Sequence, residues 1–227
     1  MIKNGEIRQI LKSSMGLDKE DLNESLVAQP KNYQNSTEFL SNATKRAHKE
    51  LYEGYIENFN KISAKLDTVD RDKSNSNSSE FRSLKIDETY NMNALYLHGL
   101  YFANISALQG DIKMDSLSYM RLSRDFGDFD KWQMDFLACC QASRCGWAVT
   151  YYNLFTQTYM NAVIDLHSIE VPIGFFPIIV MDVWQHAYYR DYLRDVKTYS
   201  MAMMKELNWT VIEDRVKKAE KIAQVLK

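Results

Sequence analysis

Apolar side chains recur along the chain at two spacings, and the change from one to the other divides it. Between Ser41 and about Leu66, the residues Leu51, Tyr55, Phe59, Ile62 and Leu66 follow one another at steps of four, four, three and four. That is the period of an amphipathic helix. The Asp-, Ser- and Asn-rich stretch from Asp70 to Ser79 breaks the pattern and reads as an exposed turn. A second helix is predicted from about Ser83 to Leu108, with Tyr90, Ala94, Leu97, Tyr101, Ile105 and Leu108 along its apolar stripe. Two long helices joined by a polar loop predict an antiparallel helical hairpin. Gly110 to Ser123 reads as a connector, and about Asp128 to Ser143 as a third helix.

Beyond Ser143 the period shortens. Trp147–Tyr152, Tyr159–Asp165 and Phe176–Met181 are short, aromatic and β-branched, with turn residues between them. Their connections are too short for crossover helices, so the sheet they form is predicted to be antiparallel. Two helices close the chain, about Ala187–Leu207 and Thr210–Val225, broken at Asn208-Trp209. At the other end, residues 1 to about 36 are polar. There Asn4 could cap a short helix carrying Ile7, Ile10 and Leu11, and Pro30, Asn32, Gln34, Asn35 and Ser36 have a loop composition. The fold class that results is α+β. It comprises an N-terminal extension and linker (1–36), a helical hairpin domain (37–122), and a C-terminal mixed domain (123–227) with a small three-stranded antiparallel sheet flanked by helices.

Composition narrows the function classes. The chain of 227 residues is 45% hydrophobic and 26% charged, as in a soluble globular protein, and its formal net charge of −2 gives no general attraction to nucleic acid or anionic membrane. Its three cysteines, Cys139, Cys140 and Cys145, are odd in number and clustered, which suits reduced thiols rather than a disulfide framework. No apolar run reaches membrane-spanning length and the N-terminus lacks the apolar core of a signal peptide, so a cytoplasmic location is expected.

Chemistry concentrates in four histidines, His48, His98, His167 and His186, and in Asp182. An Asp-x3-His pair such as Asp182/His186 is by itself a weak signal. His98 lies beside the apolar stripe of the second helix, where a buried imidazole needs a partner for each nitrogen. The hairpin could bring His48 and His98 together. Asp182 and His186 from the second part of the chain would then complete a set of three imidazoles and one carboxylate. Such a set suits Fe, Mn or Zn, and a further open position would serve inner-sphere redox chemistry.

The whole octet Asp182-Val183-Trp184-Gln185-His186-Ala187-Tyr188-Tyr189 resembles the Asp-Val-Trp-Glu-His-Ala-Tyr-Tyr signature of the iron/manganese superoxide dismutases. Leu51 to Asn60 resembles the first-helix motif of that family. His98-Gly99-Leu100-Tyr101-Phe102 resembles the second histidine motif, with Phe102 where many members have Trp. Phe126 to Phe136, Gly146-Trp147-Ala148 and Asn208-Trp209 match in order, so the resemblance covers about residues 40 to 215.

The resemblance implies an oxidoreductase that converts superoxide to oxygen and hydrogen peroxide by one-electron cycling of one Fe or Mn ion per chain. His48, His98, Asp182 and His186 would be its ligands. Tyr55 matches the gateway tyrosine that relays protons. His167 falls where members place a Gln or His against solvent at the metal; the alternative position, on the second helix, is occupied by Ala94 and cannot serve. Trp147 and Trp184 would wall the site. The family's assembly implies a homodimer, with a tetramer as the alternative, in which Tyr189 would bridge toward His48 of the other subunit.

Two departures stand out. Gln185 replaces the Glu that accepts a hydrogen bond from the ligand histidine of the other subunit; it can still accept but supplies no charge. The anion-guiding arginine aligns with Val196, leaving Arg190, Arg194 or Lys197 to supply positive field. The alternatives to a dismutase are therefore a metal protein of the family with detuned or different redox activity, and a non-catalytic interaction protein.

Overall fold

The computed structural model of the protein describes residues 27–106 and 112–226. The predicted helix around Asn4, Ile7, Ile10 and Leu11 and the stripe position Leu108 lie outside the described residues.

Helix α1 runs over Asn42–Thr68 and helix α2 over Glu80–Asn104. Each starts at a serine that its sequence supplies: Ser41 accepts from the Thr44 N–H and Ser79 from the Arg82 N–H, satisfying amides that have no partner within the helix. The pair packs as the expected hairpin, with Tyr52 and Ile56 of α1 and Leu95, Leu97 and Phe102 of α2 in one continuous core.

The expected connector contains a helix that the pattern did not announce, α3, Leu117–Phe126. Ser116 caps it and Gly127, at φ 93°, ends it. Glu213, from a distant helix, accepts from the Leu117 and Ser118 amides at its first turn, so the element is fixed by tertiary contact as much as by its own cap. The expected boundary between residues 122 and 123 falls inside α3. Helix α4 follows at Phe129–Ala142, capped by Asp128.

The sheet is three-stranded and antiparallel as expected, with strands β1 (Gly146–Asn153), β2 (Tyr159–Asp165) and β3 (Phe175–Asp182) in the order β2-β1-β3. Central β1 is buried from Gly146's neighbour Trp147 through Tyr152, which explains why it reads as a run of large residues instead of alternating. Gly146 is required at its start: a Cβ there would stand 1.8 Å from the Ile164 carbonyl oxygen. On edge strand β3, Pro177 sits opposite Tyr151, where the register shifts, a place at which a missing N–H is tolerated. The β1–β3 register sets Trp147 directly opposite Asp182.

The single helix expected over Ala187–Leu207 is two, α5 (Gln185–Tyr192) and α6 (Val196–Met204). Leu193, at φ 52°, leaves the helical region, and Asp195 begins a new helix by accepting from Thr198. The last helix, α7, Trp209–Val225, is capped by Asn208.

Arg215 of α7 is 8% exposed and donates to the carbonyls of Ile178 (3.0 Å) and Leu100 (2.9 Å) and to the Asn104 side chain. It thereby ties α7 to β3 and to the end of α2. No helix among the described residues is long and apolar enough to cross a membrane.

Candidate metal centre

Four elements converge on one buried point. His48 comes from α1, His98 from α2, Asp182 from the last position of β3 and His186 from the first turn of α5. One donor atom from each lies within 4.8 Å of all the others. Asp182 Oδ2 is the hub: the Nε2 atoms of His48, His186 and His98 lie 3.0, 3.2 and 3.6 Å from it.

The local turn explains how Asp182 and His186 meet. Asp182 Oδ1 accepts the Trp184 N–H at 2.8 Å, an Asx-type turn that starts α5 and leaves Oδ2 facing inward. The Asp182 carbonyl accepts from the Tyr199 hydroxyl at 2.8 Å, and Tyr199 is joined to Tyr101 at 3.0 Å.

The protonation states suit ligands. Burial lowers His48 below the ordinary 6.5, its hydrogen bond to Asp182 opposing this only in part. His98 is pushed well below 6.5, chiefly by burial. Burial alone would raise the Asp182 carboxyl, but the nearby His186 and the hydrogen bonds of His186 and His48 outweigh it and hold the group below the usual carboxylate range.

His98 Nδ1 lies 2.7 Å from the Ala94 carbonyl, which can only accept, so Nδ1 carries the proton and Nε2 bears a bare lone pair. That Nε2 is fully buried and has no hydrogen-bond partner among the described residues. An orphaned buried acceptor costs about 1–3 kcal/mol, and a cation at the hub would satisfy it. The residues therefore fit a metal ion such as Fe or Mn, whose preferred donors are imidazole and carboxylate.

His167 stands outside this set. It is fully buried; the Trp147 indole N–H donates to its Nδ1 at 3.1 Å, so its proton sits on Nε2, which meets the Tyr55 hydroxyl at 3.0 Å. Burial lowers its pKa to about 4. Both nitrogens are engaged by protein groups, Nδ1 by Trp147 and Nε2 by Tyr55. Trp147 packs edge-on to His98 at 4.8 Å, and Trp184 stacks on His167 at 5.1 Å and His186 at 5.7 Å. Gln185 and Tyr189 are exposed on α5. Val196 packs against the core, while Arg190, Arg194 and Lys197 are exposed.

Two residues of this neighbourhood were hidden in plain periodicity. Tyr90 and Tyr101 lie on the apolar stripe of α2 and read as core, yet one stands against His167 and the other ends the chain of hydroxyls behind Asp182. Tyr199 carried no local signal at all.

A helical hairpin and a three-stranded antiparallel sheet that aim three imidazoles and one carboxylate at one point define a mononuclear, non-haem metalloprotein of the α+β class. The sequence profile of the C-terminal domain of iron/manganese superoxide dismutases matches residues 116–215. The iron superoxide dismutase of Aquifex pyrophilus is 34% identical over 194 residues, covering 84% of this chain and 90% of that protein. That of Aquifex aeolicus is 34% identical over 205 residues, 88% of this chain and 95% of that protein. Manganese superoxide dismutase 1 of Halobacterium salinarum is 32% identical over 133 residues, 59% and 66% of the two chains. The chain belongs to the iron/manganese superoxide dismutase family.

Proposed function

We propose that this protein is a superoxide dismutase that holds one Fe or Mn ion on His48, His98, Asp182 and His186. The observation that carries the reading is the bare, buried, unpartnered Nε2 of His98 directed at the same carboxylate oxygen as two further imidazoles. When bound, the ion supplies a one-electron redox couple that takes an electron from one superoxide and gives it to the next.

The chain's own residues manage position, water and protons. Trp147 and Trp184 cover the imidazoles and keep bulk water from the donors. The Trp147 indole fixes the tautomer of His167, whose Nε2–H then donates to Tyr55. Tyr55 thus accepts that hydrogen bond, and its own O–H is left to donate elsewhere. The effect of His167 on solvent at the site runs through that hydroxyl. Hairpin residues supply His48, His98 and Tyr55, and the part beginning near Leu117 supplies the rest.

The same reading includes a homodimer. His186 is the least buried ligand, its side chain 26% exposed, and its Nδ1 has no hydrogen bond among the described residues. Gln185 of a second copy can accept from it, and exposed Tyr189 lies on the same helix. A cytoplasmic setting is supported by three unpaired cysteines, of which burial pushes Cys140 up to about 12 and leaves it unreactive.

The test is elemental analysis paired with dismutation assays after reconstitution with Fe and with Mn. Activity with close to one ion per chain is expected, and the more active form names the working metal. Full loading without activity would mean that Gln185 and Val196 have detuned the site. Failure to bind either metal would overturn the ligand set.

A further inference from the structure

A cavity of about 290 Å³ opens between the segment leading into α1 and the first turns of that helix. Three aromatic rings form its floor and side. Phe102 and Tyr52 are buried beneath it, their centroids 5.7 Å apart at 75°. Tyr33 leans on both, 5.8 Å from Phe102 and 6.3 Å from Tyr52. It can lie that close to α2 because residue 99 is glycine: a Cβ there would stand 3.2 Å from the Tyr33 hydroxyl. The Lys31 N–H donates to the Tyr52 hydroxyl at 3.4 Å and fastens the segment to the floor. Neither Tyr55 nor His167 lines the cavity, so it is not the approach that serves those two residues.

The rim is cationic. Lys31, Lys45, Arg46 and Lys49 line the cavity, and no carboxylate does. Their charges are only weakly neutralised. Arg46 and Lys49 stand 4.0 and 3.7 Å from Glu50 and Glu53, in exposed pairs of the kind that contribute little. Lys31 forms no ion pair among the described residues, and Lys45 donates to the Thr37 carbonyl at 2.6 Å. Helix α1 adds to this field instead of offsetting it. Its first residue, Asn42, also lines the cavity, and its first turn contains no acidic side chain. Asp191 accepts from the Ser41 N–H but does not line the cavity. Lys45 and Arg46 thus sit near the positive end of a helix, where cations are disfavoured and an anion is favoured.

An inorganic anion would use the rim and leave the rings idle; a neutral ring would do the reverse. We propose that this cavity binds a small organic anion, with a flat aromatic body against Tyr33, Tyr52 and Phe102 and a carboxylate or phosphate that meets the cations of the rim. The site is separate from the metal centre, no bond is made or broken in it, and it stands apart from the dismutase reading.

The experiment is calorimetric titration of the full chain with 2-naphthoate and 2-naphthyl phosphate, beside neutral 2-naphthamide and inorganic phosphate. Saturable binding of one naphthyl anion per chain is expected, with a Kd of about 1 mM or tighter for a ligand of this size. Whichever of the two binds tighter names the head group. Naphthamide and inorganic phosphate should each bind about 10-fold more weakly or worse. Arg46→Gln combined with Lys49→Gln keeps both stems, removes both charges and should weaken the tighter probe about 10-fold. Lys61→Gln combined with Lys73→Gln lowers the net charge equally at exposed positions outside the lining, and should change affinity by less than about 2-fold. Absence of saturable binding to wild type would overturn the site. So would undiminished binding to the Arg46/Lys49 variant, or an equal loss in both double variants, which would reduce the effect to general charge attraction. Naphthamide binding as tightly as naphthoate, or inorganic phosphate as tightly as naphthyl phosphate, would overturn the ligand class.

Discussion

Replacing His167 by Gln separates what the imidazole does as a hydrogen-bond link from what it does as a titrating group. Gln can reproduce both links: its carbonyl oxygen accepts from Trp147 and its NH₂ donates to Tyr55. It cannot take a proton in acid. In the folded protein burial lowers His167 from 6.5 to about 4, so between those values the unfolded chain binds a proton at this position and the folded chain does not. Stability therefore falls as the pH drops from 6.5 toward 4, and the loss levels off once the folded imidazole also protonates. Linkage makes that loss about 2.5 kcal/mol between pH ~7 and pH ~4.5. Urea unfolding of the metal-free protein at both values gives the number, because removing the metal keeps ligand protonation from competing with an ion. His48 and His98 shift in the same direction and contribute to both proteins, so the difference between wild type and variant isolates His167. His167→Gln should lose about 2.5 kcal/mol less than wild type over this interval. Equal losses would show that His167 is not held neutral by its surroundings, and the tautomer argument for Tyr55 would go with it.

Arg215→Met should destabilise the fold by about 3 kcal/mol, since three buried acceptors lose their donor. Arg215→Lys should recover only part, lacking the fork of donors, and a denaturant midpoint unchanged in both would refute the role given to this residue. Tyr199→Phe removes the donor to the Asp182 carbonyl and should cost about 1–3 kcal/mol in the metal-free protein. It should also speed metal loss to a chelator; loss at the wild-type rate would show that Asp182 needs no support from behind. Gln185→Glu should lower the reduction potential of the loaded site and tighten the dimer by about 1 kcal/mol for each hydrogen bond that becomes charge-assisted. Unchanged potential and dimer affinity would show that the partner's His186 does not meet this side chain.

Much of the fold was legible because long helices and short strands have different periods. The hairpin and the three strands appear in their predicted order; the first helix starts at Ser41 and the third at Asp128 as predicted, while the second starts a few residues early because Ser79 supplies its cap. The helix over Leu117–Phe126 escaped because it is short and part of what fixes it, Glu213, is remote in sequence. The break at Leu193 escaped because a leucine in the left-handed region leaves no mark in a hydrophobic pattern. The cluster itself is a different case. Residue by residue, the sequence supported only a plausible His/Asp site, and it was the ordered motifs around His48, His98 and Asp182 that named it. Arg215 reads as one more charge on a solvated helix face; its burial depends on Asn104 and Ile178, which only the folded chain brings near.

Asp182 is attached to the molecule at three points. Its carbonyl holds Tyr199, one carboxylate oxygen starts α5, and the other faces the imidazoles. Strand, helix and reaction centre therefore share a single joint, and none of them can drift without carrying the others along. Changes in reactivity are more readily made around it, at positions such as Gln185 and Val196 that supply none of those three attachments. Those are the places where this chain departs from the motifs it otherwise keeps.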